Sequence, residues 1–151
     1  MKILMVCLGN ICRSPLAEGI MRDIITKEGL DWEVDSAGTS GWHIGEKPHE
    51  GSIAIARQNG IDISRQRSRK FSTSDFNEFD LIIPMDRANK NDLFAMADND
   101  ISRNKVRMIM DFVSPGENIN IPDPYYDNSF GRVFDMLKIG CQGIADSIDL
   151  D

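Results

Sequence analysis

Cys7 and Arg13, with five residues between them, stand in the stretch Val6-Cys7-Leu8-Gly9-Asn10-Ile11-Cys12-Arg13-Ser14-Pro15. A thiol and a guanidinium at that spacing, in a loop that opens a helix, suit nucleophilic chemistry on a tetrahedral oxyanion, best of all a phosphate ester. Thiolate is the nucleophilic form of cysteine, and inward-facing amides together with an arginine favour it. Arg13 offers a planar fork that holds two phosphate oxygens at once, which lysine does not match. That positive charge is required because an anionic nucleophile must approach an anionic ester. Ser14 can donate its hydroxyl to the sulfur, steadying the thiolate and improving it as a later leaving group. The alternative, a small buried Cys7 beside a surface Arg13, leaves the joint arrangement of strand, glycine turn, Arg-Ser-Pro and helix unexplained.

Particular elements must position these groups. Ile3 to Val6 is short and continuously apolar, the pattern of a buried parallel strand. Pro15 suits the first helical position and Ser14 its N-cap. Gly9 and Asn10 tolerate left-handed backbone angles, so the loop can curl its N–H groups inward at a helix N-terminus, as a nest for an anion. Leu16, Ile20, Met21, Ile24 and Ile25 predict an amphipathic helix that stops near Gly29. Trp32 to Ala37 is expected as the second strand, Pro48 to Asn59 as a helix, and Phe79 to Pro84 as the third strand. Asp86 can cap a helix running through Leu93 to about Ala97. Val106 to Phe112 is expected to hold a fourth strand. Phe130, Val133, Phe134, Leu137, Cys141, Ile144 and Ile148 form the stripe of a final helix. Alternating strands and helices predict a doubly wound, flavodoxin-like α/β parallel sheet with helices on both faces. Ligands then sit beyond the carboxyl ends of the strands, within reach of the irregular stretches 38–47 and 113–129.

Displacing an alkoxide or phenoxide needs a proton donor. Spacing alone does not choose among the many carboxylates. Asp123, in Ile121-Pro122-Asp123-Pro124-Tyr125-Tyr126, is the best local candidate. Prolines on either side stiffen it, and two rings follow that could line a slot for an aromatic leaving group. An ordinary turn is the other reading. Trp42, in Gly41-Trp42-His43-Ile44-Gly45, is either an exposed ring for substrate or a loop anchor tucked into the core. His43 and His49 lack any zinc spacing and are expected as surface residues, with no metal.

The whole loop resembles the signature loop of the low-molecular-weight protein tyrosine phosphatases. The likeness runs from Met1 to about Ile148 and takes in Asp35-Ser36-Ala37-Gly38-Thr39, Gly41 to Gly45, Met85-Asp86 and Asp123 to Tyr126. The resemblance implies a four-stranded sheet in a single domain over 1–151. It implies Cys7 as nucleophile, Arg13 as phosphate ligand and Asp123 as general acid. Leu8, Gly9, Asn10, Ile11, Cys12 and Ser14 would line the anion cup, and Trp42, Tyr125 and Tyr126 would wall the cleft. It implies hydrolysis of phosphotyrosine in protein substrates through a cysteinyl-phosphate, with no cofactor or metal. Phosphate or sulfate would fit the same loop. Ser36 resembles the serine that hydrogen-bonds Asn10. Gln66 falls where relatives often carry a histidine that braces the same asparagine. Cys12 is either a small filler or the partner of a protective disulfide with Cys7. Cys141 reads as core.

Rival readings are weaker. Arsenate reduction needs two further cysteines to relay a disulfide, and Ile83-Pro84-Met85 offers none. Arginine phosphatases of similar sequence carry threonine at the position of Ile11 and lack paired tyrosines. A non-catalytic phosphate-binding module would not need Cys7, Arg13 and Asp123 together. With 151 residues, 41% of them hydrophobic, and a net charge of −7, the chain suits one domain with a single core and disfavours nucleic-acid binding. The basic run Arg65, Arg67, Arg69, Lys70 is expected to be a solvated face. No stretch approaches a membrane span or a signal peptide, and three cysteines fit a reducing compartment; a cytoplasmic monomer is the simplest expectation.

Overall fold

The computed structural model describes residues 1–148; residues 149–151 and the side chain of Ile148 lie outside it. Strand β1 (Lys2–Cys7) is central, flanked by β2 (Glu33–Gly38) and β3 (Leu81–Pro84) in the order β2-β1-β3, all parallel. Alternation along β1 divides its side chains between two faces. Ile3, Met5 and Cys7 join one apolar cluster, and Leu4 and Val6 join the other. The first face is covered by α1 (Arg13–Glu28), α2 (Glu50–Gln58) and α7 (Phe130–Ile148), which contribute Leu16, Ile20, Ala56, Val133, Leu137, Cys141 and Ile144. The second is covered by α3 (Asp75–Glu78) and α4 (Arg87–Met96), through Phe76 and Leu93, with Phe71, Phe79 and Val106.

Two short helices, α5 (Asp100–Asn104) and α6 (Pro124–Asp127), complete the chain. The strand ends converge: Cys7 is in register with Gly38, and Val6 with Ala37 and Pro84. Whatever follows β1, β2 and β3 therefore meets at one edge. The Asp123 segment is drawn there too, because Ile121 N–H donates to the Met85 carbonyl just past β3, at 3.0 Å. Among the described residues, no helix is long and apolar enough to cross a membrane.

The sheet of the described residues has three strands rather than four. Val106 makes a single parallel bridge to Ile82, and Ile109–Phe112 then winds into a 3₁₀ turn. The guanidinium of Arg107 lies over the Phe112 ring, 4.0 Å from its centre, which folds the segment back on itself instead of extending it.

Candidate active site

The loop between β1 and α1 is held open from outside. Donors beyond the loop take its carbonyls: Thr39 N–H on Cys7, Ser40 N–H and Oγ on Leu8, Ser68 Oγ on Gly9, His49 N–H on Ile11 and Ser52 Oγ on Cys12. With carbonyls engaged outward, the N–H groups of Leu8, Gly9, Ile11 and Cys12 bond no protein acceptor among the described residues. They join the orphan donors of the first turn of α1. The curl depends on Asn10, which is left-handed at φ 56° and is the only loop residue with positive φ. Gly9, which tolerates the same angles, does not adopt them. A Cβ at position 9 would lie 3.0 Å from the His43 ring, a tight contact that the imidazole would have to yield to.

Asn10 fastens the inside of the loop. Its Nδ2 donates to Ser14 Oγ at 2.7 Å and to Ser36 Oγ at 3.0 Å, and its Oδ1 accepts the Arg69 N–H at 3.0 Å. Cys7 Sγ receives the Asn10 N–H at 3.3 Å and lies 3.0 Å from Ser14 Oγ. Ser14 is thus not the helix cap. The helix starts at Arg13, Cys12 occupies the cap position without a side-chain bond, and the serine faces the sulfur.

Arg13 is only 3% exposed. Its Nη1 donates to Asp86 Oδ2 at 2.6 Å and to the Ile121 carbonyl at 3.0 Å. Its Nη2 lies 3.6 Å from Asp123 Oδ2. Burial works against the cation, but Cys7, followed by Asp86 and Asp123, outweighs it and holds Arg13 above its ordinary pKa. Asp123 caps α6: its Oδ1 takes the Tyr125 N–H at 3.1 Å, which leaves Oδ2 toward Arg13. Burial first, then the charges of Cys7 and Asp123, push the Cys12 thiol up to about 12, so it stays protonated at neutral pH.

Together these groups floor a cleft of about 210 Å³, lined by Cys7, Leu8, Ile11, Arg13, Asp123 and the rings of Trp42, His43, Tyr125 and Tyr126. Trp42 is 71% exposed, so it is a rim residue and not a core anchor; Tyr126 is 76% exposed. The two tyrosines meet edge to face at 5.4 Å. The arrangement is a cleft with aromatic walls that brings one buried sulfur, one guanidinium and one carboxylate together.

The chain matches the sequence model of the low molecular weight phosphotyrosine protein phosphatases over residues 2–151. The chain belongs to the low-molecular-weight phosphotyrosine protein phosphatase family. Its relatives include the low molecular weight protein-tyrosine-phosphatase YfkJ of Bacillus subtilis, 43% identical over 97% of this chain and 94% of that protein. The crystal structure of YfkJ superposes with a TM-score of 0.92, covering 99% of this chain and 94% of that one. A low molecular weight phosphotyrosine protein phosphatase of Schizosaccharomyces pombe is 40% identical over 97% of this chain and 96% of its own length. The structure of DARP, a Drosophila arginine phosphatase, is 31% identical with a TM-score of 0.90, covering 98% of each chain. The chain is accordingly an enzyme of the low-molecular-weight protein-tyrosine-phosphatase group.

Within this phosphatase fold the sequence reading missed several supports. Asp86 was expected to cap α4, and its Oδ1 does take the Asn89 N–H at 2.8 Å, but its other oxygen grips Arg13. Gln66 does not bond Asn10. Its Nε2 donates to the Pro15 carbonyl at 3.1 Å, and the Arg69 backbone serves Asn10 instead. Arg69 is no solvated charge: Asp75 holds it at 3.0 and 3.2 Å, with Asp35 at 3.4 Å. The histidines are not free surface residues either. His43 lines the cleft and bonds Glu46 at 2.7 Å, while His49 caps α2 and stacks on Phe130 at 5.0 Å. Gly41 and Gly45, two residues to either side of His43, were the sequence signal for its place.

Proposed function

We propose that the chain, acting as one catalytic unit over 1–151, hydrolyses phosphotyrosine in proteins, without a metal, through a cysteinyl-phosphate. The observation that carries the reading is Cys7 Sγ at the floor of the cup, 3.0 Å from Ser14 Oγ, with Arg13 and Asp123 in the same cleft. Cys7 thiolate attacks phosphorus in line. The bond from phosphorus to the tyrosine oxygen breaks, and the departing oxygen takes the Asp123 proton. Arg13 and the loop amides bind the equatorial oxygens and supply the positive charge that a metal would otherwise provide. In the second step Asp123 takes a proton from water, whose oxygen attacks phosphorus. The S–P bond breaks, thiolate is restored and inorganic phosphate leaves. Phosphate or sulfate would bind the same cup. A reducing compartment such as the cytoplasm suits a catalytic thiol.

The aromatic walls of the cleft favour an aryl phosphate over phosphoserine. Phosphoarginine, the substrate class in the name of the Drosophila relative, is the rival. Buried Ile11 on the cleft floor and the Tyr125-Tyr126 pair favour tyrosine over it. Hydrolysis of p-nitrophenyl phosphate at mildly acid pH in the presence of EDTA is the test. Turnover is expected in the wild type and none in Cys7→Ser; activity that survives Cys7→Ser, or that EDTA abolishes, defeats the reading. Tyrosine phosphopeptides are expected to outrun phosphoarginine peptides.

A further inference from the structure

The basic run Arg65, Arg67, Arg69 and Lys70 divides in the folded chain. Arg67 turns back onto the carbonyls of Ser64 and Gln66, at 2.9 and 2.7 Å. Arg69 is clamped by Asp75 and Asp35. Lys70 is exposed, and its ammonium pairs with no carboxylate among the described residues. The segment that carries it is fastened to the wall of the cleft. Gly45 N–H donates to the Ser68 carbonyl and Ser68 N–H to the Glu46 carbonyl, both at 2.8 Å. On the other edge Gly38 N–H donates to the Arg69 carbonyl at 2.9 Å, and Phe71 N–H to the Gly38 carbonyl at 2.7 Å. A segment paired on both edges is extended, so its side chains alternate between two faces. Arg69 and Phe71 face α3, where Asp75 and Phe76 receive them. Ser68 and Lys70 face the other way. Ser68 Oγ reaches the Gly9 carbonyl of the anion loop at 3.0 Å, and the Lys70 stem lies along Gly41. A Cβ on Gly41 would stand 3.6 Å from Lys70 Cδ and 3.3 Å from Ile44 Cδ1. Trp42, next in the chain, walls the cleft, and both Trp42 and Ile44 are largely exposed. Just outside the cleft there is thus a patch made of one ring, one aliphatic branch and one unpaired cation. The single carboxylate of this loop, Glu46, is engaged by His43.

We propose that Lys70, with Trp42 and Ile44, forms a subsite for the residues that flank phosphotyrosine, and that it selects substrates carrying aspartate or glutamate there. The inference rests on the phosphotyrosine reading above and deepens it. An extended peptide advances about 3.3 Å per residue, so side chains close to the phosphotyrosine come over Trp42 and Gly41 once the ring is in the cleft. Trp42 and Ile44 offer apolar area to the methylenes of glutamate. The Lys70 ammonium, with three donors and no internal carboxylate, is free for the carboxylate of the peptide. The chain as a whole carries a charge of −7, a field that repels an acidic peptide, so the attraction must be local. A basic flank meets a like charge at the same place, which adds discrimination to attraction. A membrane surface is read by clusters of about four to eight cations. This patch holds Lys70 alone, which favours a peptide.

The test compares two phosphotyrosine peptides of one sequence, with aspartate or with lysine at the flanking positions, by released phosphate. The quantity read is the ratio of their kcat/KM values on the same enzyme, so any general loss of activity or stability cancels. The wild type is expected to favour the acidic peptide by about three- to tenfold at low salt, and less at about 0.5 M salt, where exposed charges are screened. Lys70→Met keeps the stem and drops the charge. It is expected to lower the ratio about two- to fivefold, the worth of one exposed ion pair, and Lys70→Glu to lower it further. Lys138→Met removes an equal charge from the groove between α1 and α7 and is expected to leave the ratio at its wild-type value. No acidic preference in the wild type, a ratio unmoved by Lys70→Met, or an equal movement in Lys138→Met overturns the proposal. A Lys70→Met enzyme that keeps the ratio but no longer sediments with phosphatidylserine vesicles assigns the patch to a membrane and overturns it as well. A wild type that releases phosphate from neither peptide nor p-nitrophenyl phosphate sinks the phosphatase reading itself. Turnover of all three with a flat ratio leaves that reading standing and removes Lys70 alone.

Discussion

Asp86→Asn separates a helix cap from a catalytic clamp. Asp86 uses both oxygens: Oδ2 on Arg13 Nη1 at 2.6 Å and Oδ1 on the Asn89 N–H at 2.8 Å. Asparagine supplies one oxygen and one NH₂, so one of those donors must face another donor. Arg13, 3% exposed, cannot turn to water for compensation. If the NH₂ faces Arg13, a charge-assisted hydrogen bond worth about 1.5–3 kcal/mol is lost. At about 1.4 kcal/mol per decade, kcat/KM for p-nitrophenyl phosphate is expected to fall roughly 10- to 100-fold. The remaining carboxylate near Arg13 is Asp123 at 3.6 Å, so the guanidinium drifts toward the acid and the loss falls on kcat as well as KM. If instead the NH₂ faces Asn89, the cap weakens by about 1 kcal/mol and the melting temperature drops roughly 2–4 °C. Steady-state kinetics beside a thermal melt distinguishes the two. An Asp86→Asn enzyme with kcat/KM within twofold of wild type and an unchanged melting temperature would show that the grip on Arg13 has no catalytic role.

Asp123→Ala is expected to lose about 100-fold or more in kcat with aryl phosphates of high leaving-group pKa, and much less with p-nitrophenyl phosphate; equal losses across a leaving-group series would remove Asp123 from the role of acid. Gly38→Ala places a Cβ 2.8 Å from the Leu8 carbonyl and 3.1 Å from the Asn10 nitrogen, backbone atoms that can yield only by shifting the cup. A roughly 100-fold fall in kcat/KM is expected, with folding retained, and near wild-type turnover would mean the cup tolerates displacement.

Local signals carried most of what was legible in the sequence. β1, the start of α1 and the α7 stripe each declare themselves within one element, through burial pattern, turn residues and period. The strand ends then fix where the loops meet. The supports of the site were hidden because their partners are distant in the chain: Asp86 reaches Arg13 across 73 residues, and Asn10 reaches Ser36 across 26. Ser14 had two readings, cap before a proline and partner of the sulfur, and only the folded loop shows that its hydroxyl lies with the sulfur and not on the helix end. The 3₁₀ turn at Ile109–Phe112 left no trace, because Val106 to Phe112 reads as a strand until Arg107 finds the Phe112 ring.

The cup is braced on its outer side by Thr39, Ser40, His49, Ser52 and Ser68, while Trp42 and Tyr126 project into solvent with few ties. On the proposed function, the phosphoryl group would be held by a braced part of the molecule and the chain around it would meet a loosely tied one. A phosphate or sulfate ion, which the cup alone would hold, would then be insensitive to substitution at the lip, whereas an aryl ester or a peptide that reaches Trp42 and Tyr126 would not.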